Sequence, residues 1–232
     1  MHRIIKGYFM TSHIDKYNPV ARVFHWGIAL LILGLLGVGF FMDEIATPPF
    51  KNQLYGWHKS LGITVLCLAI LRIIWRQIKH TPQPLSHHKQ WEKILSKTIH
   101  TVLYVAMIAM PLSGWVMSSA GGHTVSFFGL FDLPGIVSED RELGRLANQI
   151  HGYIAYTIIG CVGLHIVGAL KHHIFDKDAT LSRMGGHLVF AIIGLFLLAV
   201  ALFIPAQSWV GELLKNNVVQ DVPVQETGQT LQ

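Results

Sequence analysis

Five stretches of this chain stay apolar for about twenty residues each, near 20–42, 57–78, 98–118, 149–171 and 187–205. A helix of roughly that length crosses the hydrocarbon core of a bilayer. Helices satisfy every backbone N–H and C=O without water, which an isolated strand cannot do there. The pattern therefore predicts an all-α membrane protein with five spans. Composition agrees, since 51% of the 232 residues are hydrophobic and only 13% charged, well under the share in a soluble domain. Cys67 and Cys161 both lie inside apolar runs, which argues against a disulfide framework or a cysteine metal site. The net charge of +5 does not point to nucleic acid, because the positive residues stand at the ends of apolar runs and not on one soluble face. No cleavable signal peptide is expected: the first apolar run begins near Val20, is long, and lacks a small-residue cleavage site.

Lysine and arginine predict the orientation. Arg3, Lys6, Lys16 and Arg22 precede or open the first span. Arg72, Arg76, Lys79, Lys89, Lys93 and Lys97 run from the end of the second span to the third, and Lys171, Lys177 and Arg183 from the end of the fourth towards the fifth. These are 13 of the 18 basic residues; the alternate loops and tail hold Lys51, Lys59, Arg141, Arg145 and Lys215. The positive-inside rule puts the N-terminus in the cytoplasm and the tail after the fifth span outside. Trp26, Trp57, Trp91, Trp115 and Trp209 fall near span ends, as an aromatic belt requires. Pro111 inside the third span is expected to kink it. Gly160, Gly163 and Gly168 are expected to serve close helix packing. The loop over 119–147 contains SFFGLFDLPG, which fits an aromatic flap or a loop resting on the bilayer surface.

Histidines within these spans need an explanation, because ionisable groups in hydrocarbon are costly and are kept for function. With the orientation above, His25 and His165 share a depth near the inner surface, and His58 and His151 share one near the outer surface. His151 and His165 are 14 residues apart, close to four helical turns, so they occupy one face about 21 Å apart. Ala155, Ile158, Val162 and Ala169 lie on that face and leave room for something flat. Zinc would want four-ligand clusters. Two imidazoles per site, stacked across a membrane, suit the axial positions of two hemes.

Around these residues the chain resembles the bacterial cytochrome b561 family of small di-heme membrane cytochromes. The resemblance rests on VFHWGIALL at His25, GWHKSLGITVLCLAILRIIWR at His58, IHTVLYVAMIAMPLSGWVMSSA in the third span and IHGYIAYTIIGCVGLHIVGALKHHIFDKDATLSRM from the fourth. It covers roughly 15–185 and implies a four-helix heme-binding bundle in the bacterial inner membrane, with heme ligands at His25, His58, His151 and His165. The expected organisation is then a cytoplasmic arm over 1–19, a di-heme bundle over 20–186, a fifth transmembrane helix over 187–205 and an extracytoplasmic tail over 206–232. The fifth span and tail depart from the family pattern and offer a place for an external redox partner.

Arg72 lies 14 residues after His58, at the inner depth, where a heme propionate or a quinone headgroup would pair with it. Lys59 stands beside the outer site and either pairs with a propionate or snorkels, as does Arg76. His100 is placed to hydrogen-bond the inner heme or to protonate a quinone, or else is a satisfied histidine. His87, His88, His172 and His173 are expected at the cytoplasmic surface. The expected function is electron transfer through two b-type hemes between a donor or acceptor and the quinone pool, ubiquinone or another; the family resemblance implies a sharper form, superoxide oxidation at the outer face with quinone reduction. Lys51, Lys59, Arg141 and Arg145 would draw an anion there, although Asp132, Glu139, Asp140 and Glu142 oppose them. The alternatives are a cytochrome b subunit anchoring a dehydrogenase or hydrogenase, and a non-redox transport or binding protein with histidines as relays.

Overall fold

The computed structural model describes residues 15–42 and 50–185. All of them belong to the first of the two units into which the chain divides, Met1–Gly186. The expected fifth span and tail lie outside the described residues. Within them the chain forms α1 (Pro19–Phe41), α2 (Phe50–Ile78), α3 (Gln90–Ala120), the strands β1 (Val125–Phe127) and β2 (Phe131–Leu133), α4 (Arg141–Ile174) and the short α5 (Thr180–Arg183). The four long helices are each long and apolar enough to cross a membrane.

Local chemistry sets where the helices begin. Asn18 caps α1 by accepting from the Val20 N–H at 2.9 Å, with Pro19 at the first helical position, where its missing N–H costs nothing. Asp140 caps α4 through the N–H groups of Glu142 and Leu143. The Glu92 carboxylate accepts from the Lys89 N–H at 2.9 Å at the start of α3. Helices α2, α3 and α4 therefore begin about two turns before their apolar runs. These polar turns need no hydrocarbon, and those of α3 and α4 carry exposed caps at Lys89 and Asp140. Helix α3 runs on through Pro111, which is buried within it.

Packing is uneven. Helix α4 packs along α3, α1 along α2, and α2 against α3, but α4 makes no extensive contact with α1 or α2. The close-packed core is correspondingly small: Ile28 of α1, Ala69 of α2 and Met107 of α3, with Phe24, Ile32, Leu68, Tyr104 and Ile108 around them. The outward faces are apolar, as lipid requires, with Val23, Ile74, Val105 and Val167 exposed. Gly160 and Gly163 are exposed too, and a Cβ on either, or on Gly168, would meet nothing within 4 Å. The expectation that these three serve close packing is therefore wrong within this unit. Among the described residues, no other helix packs against that side of α4.

One departure from an all-α fold follows α3. Strands β1 and β2 pair antiparallel, Val125 opposite Leu133 and Phe127 opposite Phe131. Their turn has Phe128 at φ 51° and Gly129 at φ 72°, the left-handed pair that matches strand twist in a tight hairpin. Ser60 of α2, 1% exposed, fastens it. The Ser60 hydroxyl accepts from the Phe128 N–H at 3.0 Å, and the carbonyls of Ser126 and Gly56 lie 2.9 Å away for its proton. At the other end of the bundle the chain after α4 folds back onto the start of α1: Trp26 Nε1 donates to the Met184 carbonyl, and Tyr17 N to that of Arg183.

Candidate functional site

The four membrane histidines form two pairs. At the end where α1 begins, the rings of His25 (α1) and His165 (α4) have centroids 6.0 Å apart and are inclined by 68°. At the opposite end, His58 (α2) and His151 (α4) stand 6.3 Å apart at 64°. Each pair bridges the space between α4 and the α1–α2 pair, where the helices do not pack closely. A metal–nitrogen bond of about 2 Å, with the ring centre about 1 Å further on, would put two imidazoles on opposite sides of one metal ion about 6 Å apart. The spacing of both pairs fits that arrangement. On α4 the face between the two histidines carries Ala155 and Ile158, both buried. Beside His58 an apolar cavity of about 240 Å³ opens between α1 and α2, lined by Leu31, Leu35, Val38 and Leu61 among others.

The surroundings of the rings differ. His151 Nδ1 lies 3.1 Å from the Met110 carbonyl and 3.0 Å from the Ser113 hydroxyl. A carbonyl only accepts, so Nδ1 carries the proton and Nε2 keeps its lone pair, the tautomer a metal ligand needs. Gly114 leaves the space: a Cβ there would stand 3.2 Å from His151 Cε1. Gly39 does the same for His58, again at 3.2 Å from Cε1. His58 Nδ1 itself is buried and has no hydrogen-bond partner among the described residues. A buried orphan of this kind is costly, so this nitrogen has a contact to make beyond the described residues.

The other pair sits in a more polar setting. Arg72 Nη2 lies 3.1 Å from His25 Nδ1, and Arg72 Nε donates to the Tyr104 hydroxyl at 3.2 Å. Arg76 reaches the same hydroxyl at 3.4 Å. His100 approaches His165 with ring centroids 5.2 Å apart. The predicted Arg72 and His100 are thus gathered at the His25–His165 pair. Lys59, at the other end, reaches the Thr124 carbonyl at 3.4 Å, next to the hairpin. Sequence reasoning missed Met110, Ser113, Gly114, Gly39 and Tyr104. Only the small Ser113–Gly114 pair within the third span carried any signal.

At the His25 end, His87 and His88 before α3 and His172 in the last turn of α4 gather around Asp178 and Asp176. Partial burial works to raise the Asp178 carboxyl. Hydrogen bonds from His88, Thr180 and His87 outweigh it and hold the group well below the usual carboxylate range.

Fold and site together define a class: a multi-pass membrane bundle with one facing histidine pair towards each end. The chain belongs to the prokaryotic cytochrome b561 family, whose model matches residues 16–187. It is 30% identical to cytochrome b561 homolog 2 of Escherichia coli over 183 residues, covering 76% of this chain and 94% of that protein. It is likewise 30% identical to cytochrome b561 homolog 1 of the same organism over 176 residues, covering 74% and 97%. A relative from Yersinia pestis named probable superoxide oxidase CybB is 27% identical over 169 residues, covering 73% and 95%. Membership implies b-type heme and membrane electron transfer.

Proposed function

We propose that this protein binds two b-type hemes, one between His58 and His151 and one between His25 and His165, and exchanges electrons with a membrane quinone. The observation that carries this reading is the pairing itself, two imidazole pairs at 6.0 and 6.3 Å bridging a gap between helices. Bound heme supplies one-electron chemistry at iron. The chain supplies the rest. His151 is held in its ligand tautomer by the Met110 carbonyl. Gly39 and Gly114 give the outer rings room to seat. The buried apolar face of Ala155 and Ile158 between the two histidines of α4 keeps water out.

Arg72 has a particular part. A guanidinium only donates, so its contact with His25 Nδ1 leaves that nitrogen as an acceptor. Ligation through Nε2 requires the proton on Nδ1, which Arg72 cannot accept. Arg72 therefore turns to an anion when the site is loaded, and a heme propionate suits it, with the Tyr104 hydroxyl steadying the guanidinium. His100, beside His165, is placed to pass a proton to a quinone headgroup at this end.

The expected setting is the bacterial inner membrane, with the His25 end towards the cytoplasm. A fifth span over 187–205 would carry the tail to the outer side, where an external redox partner could dock. The sharper form of the reading is superoxide:quinone oxidoreduction. Two superoxide ions each lose one electron and become dioxygen, while quinone gains two electrons and two protons. The name of the Yersinia relative supports it, and Lys59 beside the hairpin offers a positive charge at that end. Stopped-flow heme reduction with superoxide and with quinol, in membranes with and without quinone, tests both forms. Heme reduced by quinol but not by superoxide would retain quinone-linked transfer and remove the sharper form. Purified protein with no reduced b-type band would remove both.

A further inference from the structure

Outside the histidine pairs, one group of metal-competent side chains has no part in the proposed electron transfer. His87 and His88 lie in the segment between α2 and α3, and Asp178 lies in the turn after α4. His88 Nε2 is 2.8 Å and His87 Nε2 3.2 Å from the same carboxylate oxygen, Asp178 Oδ2. One donor atom from each of the three falls within 4.8 Å of the others. Two imidazole nitrogens from adjacent residues, aimed at one carboxylate oxygen of a distant segment, converge more than an interfacial histidine needs to.

The support around them is built. Asp178 Oδ1 accepts from the Thr180 N–H at 2.7 Å, so the carboxylate is oriented with Oδ2 towards the rings. Asp178 N donates to the His172 carbonyl at 3.1 Å, and Lys177 takes φ 51° to bring the chain back. His88 stacks on His172 with centroids 4.1 Å apart, which fixes its plane. Arg183 ties the same two segments, donating to the Gln83 carbonyl at 2.7 Å. Orientation of ligands by such outer contacts is what separates metal sites from chance clusters. The neighbouring group of Glu92, His172 and Asp176 is different. Lys171 Nζ already sits between its carboxylates, 2.6 Å from Glu92 and 2.7 Å from Asp176. An ammonium fills that place, so it has no need of a metal ion. Among the described contacts no ammonium or guanidinium reaches the Asp178 oxygen that faces His87 and His88; its other neighbour is His172 Nδ1 at 3.5 Å.

We propose that His87, His88 and Asp178 bind a divalent late first-row transition ion, with zinc the best match. The two imidazoles are borderline donors that favour such ions over magnesium or calcium, and zinc accepts a carboxylate beside them. Three protein ligands leave a fourth position for water. The ion would clamp the segment before α3 to the turn after α4, beyond the membrane-spanning part of the bundle.

The test is a Zn²⁺ titration of the heme-loaded, tag-free full chain in detergent against a chromophoric chelator. Wild type should hold one ion per chain more tightly than any other, and Mg²⁺ should not displace it. The double variant H87A/H88A should lose that equivalent or weaken it about tenfold or more, and D178N should do the same. H80A, outside the cluster, should bind as wild type. The heme spectrum reports folding, and H87A alone, at the most exposed ligand, serves if a stronger variant loses it. No tight equivalent in wild type, or unchanged affinity in H87A with its heme spectrum intact, would overturn the site.

Discussion

His151 shows how a side chain becomes a ligand by what lies behind it. Its Nδ1 is tied to the Met110 carbonyl, and Gly114 stands where any Cβ would press on the ring at 3.2 Å. Gly114→Ala should therefore loosen the His58–His151 site, with a cost of about 1 kcal/mol in heme retention, and leave the other site alone. Heme content after extended detergent washing measures it; Gly160→Ala, which meets nothing within 4 Å, should keep both hemes. Arg72→Leu should retain the outer heme and lose the inner one or lower its potential, since a nearby positive charge favours the reduced form. Redox potentiometry decides, and wild-type potentials with wild-type quinone turnover would show that Arg72 has no part. The histidines were legible in the sequence because an imidazole inside an apolar run is conspicuous. Met110, Ser113 and Gly114 were not: which carbonyl meets His151 depends on how α3 crosses α4, and no spacing within one helix encodes that.

At the scale of elements, the apolar runs marked the four described spans, but not the polar turns that extend α2, α3 and α4 beyond them, because hydropathy ends where lipid ends and helix capping does not. The hairpin was harder to foresee. SFFGLFDLPG lacks the alternation of a half-buried strand, and its pairing depends on Ser60, more than sixty residues away. Ser60→Ala removes the acceptor for the Phe128 N–H and a donor for the Ser126 carbonyl. It should destabilise the protein by about 1–3 kcal/mol, the cost of stranding buried polar groups, and open the loop near Gly129 to proteolysis. Thermal unfolding and limited digestion would show this; unchanged cleavage would mean the strands hold without their fastening.

Across the whole molecule, helix packing and cofactor space trade against each other. The close-packed core joins α1, α2 and α3, while α4, which bears one histidine of each pair, stands off α1 and α2. That arrangement was legible only in outline, through small residues such as Ala155 on the histidine face. Orientation can be tested separately: with the proposed fifth span over 187–205 and the basic residues gathered at one end, a C-terminal alkaline phosphatase fusion should be active, and an inactive one beside an active cytoplasmic reporter would reverse the expectation. The central claim is that two hemes sit at opposite ends of one bundle, each between its own histidine pair. Heme-to-protein stoichiometry in wild type and in four alanine variants tests it most directly. Wild type should hold two hemes per chain. His58→Ala and His151→Ala should each retain one, with one and the same spectrum, and His25→Ala and His165→Ala should retain the other. A single heme in wild type, or variants that lose both hemes or neither, would contradict the account.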